Sequence, residues 1–319
     1  MKKFIFLEKK VFPVKKIIFT AVSLEDWVLV KVSGQEKKQY LQSQITADMS
    51  LLNSNKYFFC GHCNEKGKVY STLLLFKRQK NYFYILRKSV VKKQIQAIKK
   101  YSLFSNTKFS QEKKLFYLGV LGKKSRYYLK KIFIVLPDEK NFVIHEHDTT
   151  IIWIKGIIER FILISSYTFL RNFLKKFSNE LYLNNSRQWL SVDIEEKIPV
   201  IDSQNLLNFF PQEINLNKFQ NGISFIKGCY LGQEQISKIK YRKINKRTLK
   251  FLYCLHPKNI FSPGDFIYIQ VQKDWIRKGI LLSSMIMNNN IIYAQAVLNK
   301  FYIKEKFYKI KDSYFFLKR

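Results

Sequence analysis

The sequence predicts an α+β protein that ends in a small antiparallel β-barrel. Three observations carry that expectation. Strand-like and helix-like runs are interleaved without the strict βαβ alternation of a parallel sheet. After Lys246-Arg247 the texture changes to short alternating segments separated by turn residues, the pattern of a small antiparallel barrel. The chain's 319 residues, 47% of them hydrophobic, exceed what a single core usually organises, so two or three packed units are expected.

In chain order, residues 27–32 read as a strand and 35–44 as a helix that leads into the Thr46-Ala47-Asp48 turn. Residues 57–59 and 69–76 form the arms of a hairpin, and 82–86 adds a third strand. Over 90–101, Val91, Ile95 and Ile98 recur at helical spacing. A strand at 115–120 and a helix over 122–132 follow, then strands at 151–153 and 160–164 and a helix over 168–177. The barrel segments are 249–255, 266–271, 278–282 and 291–297, punctuated by Pro263-Gly264-Asp265 and Asn288-Asn289-Asn290. The boundary falls near residue 244. It leaves an α+β region over 1–243, expected as two interleaved subdomains, and a barrel over 244–319. No internal repeat is present.

Charge is the extreme feature of the composition: 57 basic against 23 acidic residues, a formal net charge of +34. The basic residues are 47 Lys and only 10 Arg, whereas base recognition leans on arginine for bidentate contacts. Lys, Ile, Asn, Phe and Tyr are all abundant, as AT-rich codons would produce, and that bias accounts for much of the charge. The excess implies a weak, salt-dependent attraction for RNA without naming RNA as the partner. The Met1–Glu8 segment begins like a signal peptide, but its apolar run stops after four residues. The greasiest later stretch, 151–170, contains Lys155, Glu159 and Arg160 and reads as buried strand or helix, not as a bilayer span. A cytoplasmic protein with no membrane contact is expected.

Four cysteines, Cys60, Cys63, Cys229 and Cys254, suit a reducing compartment better than a disulfide framework. Cys60-Gly61-His62-Cys63 has knuckle spacing, but a structural zinc site wants four ligands and no second knuckle exists. The segment reads as a pair of cysteines on a strand end.

Residues 227–234, Lys-Gly-Cys-Tyr-Leu-Gly-Gln-Glu, are the most informative stretch. Cys229 stands between Gly228 and Gly232, and glycine lets another group approach closely. The helix formers that follow place Glu234 four residues before Lys238, the favourable order. Cys229 is therefore expected just ahead of a helix N-terminus, with Lys227, Lys238, Lys240 and Arg242 favouring its thiolate. The alternative is a turn whose cysteine is a small buried apolar residue.

The octapeptide resembles the signature of the YgfZ family, folate-binding factors in tRNA modification and iron–sulfur protein maintenance that are related to the glycine-cleavage T-protein. Other segments match that family in order: Leu24-Glu25-Asp26-Trp27, Tyr40-Leu41-Gln42-Ser43-Gln44-Ile45-Thr46-Ala47-Asp48 and His62-Cys63-Asn64-Glu65-Lys66-Gly67-Lys68. So do Leu183-Asn184-Asn185-Ser186-Arg187-Gln188-Trp189-Leu190, Ile198-Pro199-Val200-Ile201-Asp202 and Asn245-Lys246-Arg247. The resemblance implies a T-protein-like multi-domain folate-binding fold. It makes Cys229 the key functional thiol, with Lys227, Gly228, Tyr230, Gly232, Gln233 and Glu234 as its motif.

The same resemblance implies tetrahydrofolate or a derivative as cofactor, with Trp27 and Trp189 against its rings, since aromatic faces and a basic rim suit folate. Glu195 and Glu213 match acidic positions of the T-protein folate region, where a carboxylate would hold the pterin N–H donors. Lys197 departs from the family, whose members usually have glycine there, and would alter the loop beside Glu195. T-proteins use an Asp-Asp pair where this chain has Ser71-Thr72. A hydroxyl cannot replace a carboxylate base, so aminomethyl transfer is not expected.

Three functions remain. The first is a folate-binding accessory protein that maintains iron–sulfur tRNA-thiolating enzymes. The second is a direct tRNA-binding protein with a vestigial folate pocket. The third is a folate-dependent one-carbon transferase.

Overall fold

The structure is a computed structural model that describes residues 4–102 and 105–318. The first three residues of the signal-like segment lie outside the described ones. The first strands and helices are β1 (Thr20–Ser23), β2 (Trp27–Ser33), α1 (Lys37–Gln44), β3 (Tyr57–Cys63), β4 (Val69–Arg78), β5 (Asn81–Arg87) and α2 (Val91–Lys99). There follow β6 (Lys108–Gln111), β7 (Phe116–Leu121), α3 (Ser125–Leu129), β8 (Val143–Glu146), β9 (Thr149–Trp153), β10 (Arg160–Ser165), α4 (Tyr167–Lys176) and β11 (Tyr182–Asn184). The last are α5 (Ser186–Glu196), α6 (Gln233–Tyr241), β12 (Arg247–Cys254), β13 (Phe266–Val271), β14 (Asp274–Ile286), β15 (Ile292–Asn299), β16 (Tyr308–Ile310) and β17 (Ser313–Leu317).

Two sheets and a barrel organise these elements. Strands β3-β4-β5-β2-β6 form an antiparallel five-stranded sheet. Strands β11-β1-β7-β10-β9-β8 form a six-stranded sheet in which β1 and β11 run parallel and the other pairs antiparallel. Strands β12-β15-β14-β13-β16-β17 close into the barrel, a closure that leaves no free edge. Four of those strands were legible as alternating segments. The hairpin β16–β17 was not, because it is short and surrounded by lysines.

Side-chain alternation along the strands sets the layers. On β4, Leu74 and Phe76 join a core with Ile152, Ile162 and Ile164 of the six-stranded sheet and Trp189 of α5. Leu73 and Leu75 point the other way, into a core closed by Tyr40 and Leu41 of α1 and Val91 and Ile98 of α2. The outer face of the six-stranded sheet, with Leu118, Val120 and Phe161, is covered by Leu129 of α3 and Leu170 and Phe173 of α4. Two helix-backed sheets thus face each other. The stretch 151–170 is the buried strand pair β9–β10 and the start of α4, and no described helix is long and apolar enough to cross a membrane.

The helix expected over 122–132 shrinks to the five residues of α3. Gly122 holds φ +134°, and a Cβ there would lie 2.2 Å from the Ile18 carbonyl oxygen, so a turn precedes the helix. Lys197 closes α5 at φ +60°, the left-handed position that favours glycine. The departure noticed in the sequence therefore falls at a helix C-cap.

Candidate functional site

Between the facing sheets lies a narrow pocket with about 40 Å³ of accessible space. Strand β2 presents Trp27 to it, β4 Thr72, β5 Arg87, and α5 Trp189 and Asp193. The structure thus brings the two predicted tryptophans to one space. Each ring lies beneath a guanidinium: Arg87 is 4.5 Å from the Trp27 centroid and Arg160 is 4.8 Å from that of Trp189. Gly119 of β7 makes room for the Trp189 ring, since a Cβ there would come within 2.6 Å of it.

Arg160 of β10 is fully buried and donates to Asp193 at 2.5 Å and to Glu196 at 2.6 Å. Glu196 also accepts from the Ile157 amide at 2.8 Å. Trp189, Asp193 and Glu196 share one face of α5 because they are spaced i, i+4, i+7. Burial pushes the Asp193 carboxyl up to about 6 against the pull of Arg160, and burial likewise raises Glu196. Despite burial, the two carboxylates hold Arg160 above its ordinary value. Arg87 donates through Nε to Asp202 at 3.1 Å, while its Nη1 is ion-paired with Asp26 at 3.7 Å and makes no hydrogen bond among the described residues.

Glu195 and Glu213 do not line this cavity. Glu195 accepts from Lys318 Nζ at 2.7 Å, beyond the end of β17. One helical step is about 100° of rotation, enough to turn Glu195 off the face that carries Asp193 and Glu196. Glu213 accepts from the Phe210 amide and lies 3.8 Å from Lys68 and 3.9 Å from Arg247. The carboxylate that does reach the tryptophans is Asp193, which sequence reasoning missed although its spacing from Trp189 was available. Arg87, which lines the cavity, and Arg160, buried against Trp189, were missed too; nothing local marks either. Thr72 lines the cavity with its hydroxyl donated to the Pro199 carbonyl at 2.9 Å, while Ser71 Oγ donates to the Thr72 carbonyl.

Cys229 lies elsewhere, in the loop before α6 and outside the cavity lining. It is exposed, whereas Cys60, Cys63 and Cys254 are buried. Cys60 and Cys63 enter different cores, and burial pushes both thiols up, Cys60 to about 12. Among the described residues no group of His, Cys, Asp or Glu is placed to hold a metal.

Lys227 corrects the sequence reading, for its ammonium does not accompany the thiol. It turns inward and donates to the carbonyls of Gln42 at 2.6 Å, Ile45 at 2.7 Å and Ala47 at 2.8 Å. The cause is the C-terminus of α1, whose last carbonyls lack intrahelical donors and attract a cation. Burial pulls Lys227 down to about 8. Tyr230 is buried with its hydroxyl donated to the Ser224 carbonyl, and Gln233 Nε2 donates to the Lys227 carbonyl at 3.4 Å. Gly232, at φ +81°, caps α6, and a Cβ there would lie 2.4 Å from the Asn64 carbonyl oxygen. Gly228 differs: among the described residues nothing lies within 4 Å of where its Cβ would be. Glu234 is exposed on α6.

Comparison with known proteins gives a consistent result. The chain is 40% identical over 301 residues to the tRNA-modifying protein YgfZ of Buchnera aphidicola subsp. Acyrthosiphon pisum, covering 94% of this chain and 93% of that protein. It is 38% identical over 293 residues to the protein of the same name from Photorhabdus laumondii subsp. laumondii, covering 92% and 88%. No family model matches the chain. Among solved structures, the glycine cleavage system aminomethyltransferase T from Bartonella henselae superposes with a TM-score of 0.73 over 95% of this chain and 86% of that one. At 12% identity that likeness establishes the fold, an aminomethyltransferase-like α+β architecture with a C-terminal barrel.

Proposed function

The chain belongs to the YgfZ family, and from that premise we propose that it binds a reduced folate between Trp27 and Trp189 and acts as an accessory protein in tRNA modification. In this reading it works in the cytoplasm to maintain iron–sulfur enzymes that thiolate tRNA, with Cys229 as its functional thiol. One observation carries the folate assignment: two buried indoles, each beneath a guanidinium, meet the Asp193 carboxylate in one cavity. Those groups fit folate, whose flat rings suit the indoles and whose N–H donors suit a carboxylate. Arg87 adds a donor whose Nη1 is ion-paired with Asp26 at 3.7 Å but makes no hydrogen bond among the described residues. When bound, tetrahydrofolate supplies a carrier for one-carbon units. The protein's own residues orient it and exclude water. Thr72 presents a hydroxyl already engaged by Pro199, so aminomethyl transfer has no support from that position.

Titrating the protein with tetrahydrofolate while following tryptophan fluorescence tests the reading. Quenching is expected, and Trp27→Ala and Trp189→Ala should each weaken binding by roughly 1–3 kcal/mol, the worth of a stacked aromatic anchor. Unchanged affinity in both folded variants would remove the site.

A further inference from the structure

We propose that the helix-bearing face of the five-stranded sheet, with Cys229 in it, binds the phosphate backbone of RNA. This is independent of the folate reading, since the tryptophan cavity opens on the opposite side of that sheet.

The cations are unevenly distributed along the chain. Between Glu65 and Glu112 there are twelve Lys and Arg residues and no acid, and between Glu213 and Asp265 there are ten with Glu234 as the single acid. Between Glu112 and Glu213, by contrast, fifteen basic residues are offset by ten acidic ones. Codon bias explains how many lysines the chain has. It does not explain why acids are missing from two separate stretches.

The fold brings parts of those stretches together. Tyr40 of α1 donates its hydroxyl to the Ile98 carbonyl of α2, and both helices pack on one face of the sheet. The Cys229 loop is pinned to the other end of α1 by Lys227 and by the Leu231 amide, which donates to the Ser43 carbonyl at 2.9 Å. Helix α6 continues from that loop, seated by Gly232 on the β3–β4 turn. Along this row α2 exposes Lys92, Lys93, Lys99 and Lys100, and α6 exposes Lys238 and Lys240. None of the six forms an ion pair among the described residues, although Lys68 of the β3–β4 turn pairs with Glu213, and Glu65 and Glu234 are exposed acids on the row.

Unpaired cations spread along helices suit a polyanion better than a folded protein, because protein interfaces are depleted of charge at their centre. Phosphate neutralisation supplies affinity without requiring arginine. Tyr101 beyond α2 and Tyr241 at the end of α6, 42% and 67% exposed, offer ring faces on which unpaired bases can stack. Beside Cys229, the open space around Gly228 and the 94% exposure of Ile226 leave the loop free to meet a large partner.

The test compares two quadruple variants with equal charge change by measuring binding of an unmodified tRNA transcript across a KCl series. One carries Lys92→Gln, Lys93→Gln, Lys99→Gln and Lys100→Gln. The other carries Lys123→Gln, Lys124→Gln, Lys130→Gln and Lys131→Gln around α3, on the far side of the six-stranded sheet. The α2 variant should bind at least about ten-fold more weakly, with a salt slope shallower by roughly 3, given about 0.7–0.9 per phosphate contact. The α3 variant should stay within about three-fold of wild type. A benzophenone attached to Cys229, the single exposed thiol of the four, should crosslink to the bound tRNA. Equal loss in both variants, loss in neither, or absence of the crosslink overturns the proposal. So does α2-dependent binding of a polyglutamate peptide without tRNA binding, which would assign the face to an acidic protein.

Discussion

The tryptophan cavity and the Cys229 loop lie on opposite sides of one sheet and follow opposite electrostatic plans. At the cavity, the buried Arg160 compensates Asp193 and Glu196 within hydrogen-bond distance, and Trp27, Trp189 and Asp193 line the space. At the loop, the buried cation Lys227 is held by carbonyl dipoles, and Lys92, Lys93, Lys99, Lys100, Lys238 and Lys240 form no ion pair among the described residues. The first arrangement neutralises its charges internally. The second leaves those six cations exposed. The difference teaches that one sheet can carry a compensated pocket on one face and an uncompensated cationic surface on the other.

The largest effect should come from breaking the compensation in the cavity. Arg160→Met leaves Asp193 and Glu196 buried without their cation, a change that typically costs about 3–5 kcal/mol. The loss should shrink as pH falls, because both carboxyls titrate upward and are neutral in acid. Urea unfolding at pH 5 and pH 8 reads both effects. A loss below about 1 kcal/mol at pH 8 would mean the triad does not hold the cavity together.

Legibility in the sequence divides along the same line. The loop was largely readable, since glycines flanking a cysteine ahead of good helix formers are local signals, and α6 starts at Gln233 as they imply. What failed there was the direction of Lys227, decided by α1 carbonyls some 180 residues away. The cavity was readable only through resemblance. That resemblance led to Trp27 and Trp189, which share the space, and to Glu195 and Glu213, which do not. Arg160 was noticed merely as a charge that rules out a bilayer span, because its partners lie on α5 and its register on β10 is a tertiary fact. The barrel was visible in its alternating segments except for β16 and β17.

An intermediate effect should come from Lys227. Replacing it with Met strands three carbonyls beneath the loop, and charge-assisted hydrogen bonds of this kind suggest a loss of about 2–3 kcal/mol at pH 7. Its pH dependence has a definite sign. Lys227 titrates at about 8 in the folded chain and near 10.5 when unfolded, so the unfolded chain binds more protons across that window. Its contribution is therefore lost as pH falls through 8 and recovered as pH rises toward 10.5. The stability gap between wild type and Lys227→Met should widen over that rise. A gap that narrows would mean the three carbonyls outweigh burial and keep the ammonium charged.

The smallest effect on stability, and the sharpest on function, is expected at Cys229. An exposed side chain should be replaceable by serine within about 0.5 kcal/mol, and tetrahydrofolate affinity should not change because the cavity lies across the sheet. An aromatic disulfide reagent should find one fast thiol in the native protein and three more only on unfolding, since Cys60, Cys63 and Cys254 are buried. If the thiol is what the loop exists to display, Cys229→Ser should abolish support of tRNA thiolation in cells at normal protein level. Full complementation would leave the loop as a scaffold for α6. The functional weight would then move to the cavity, where Trp27→Ala and Trp189→Ala should abolish the same support while Cys229 remains intact and reactive.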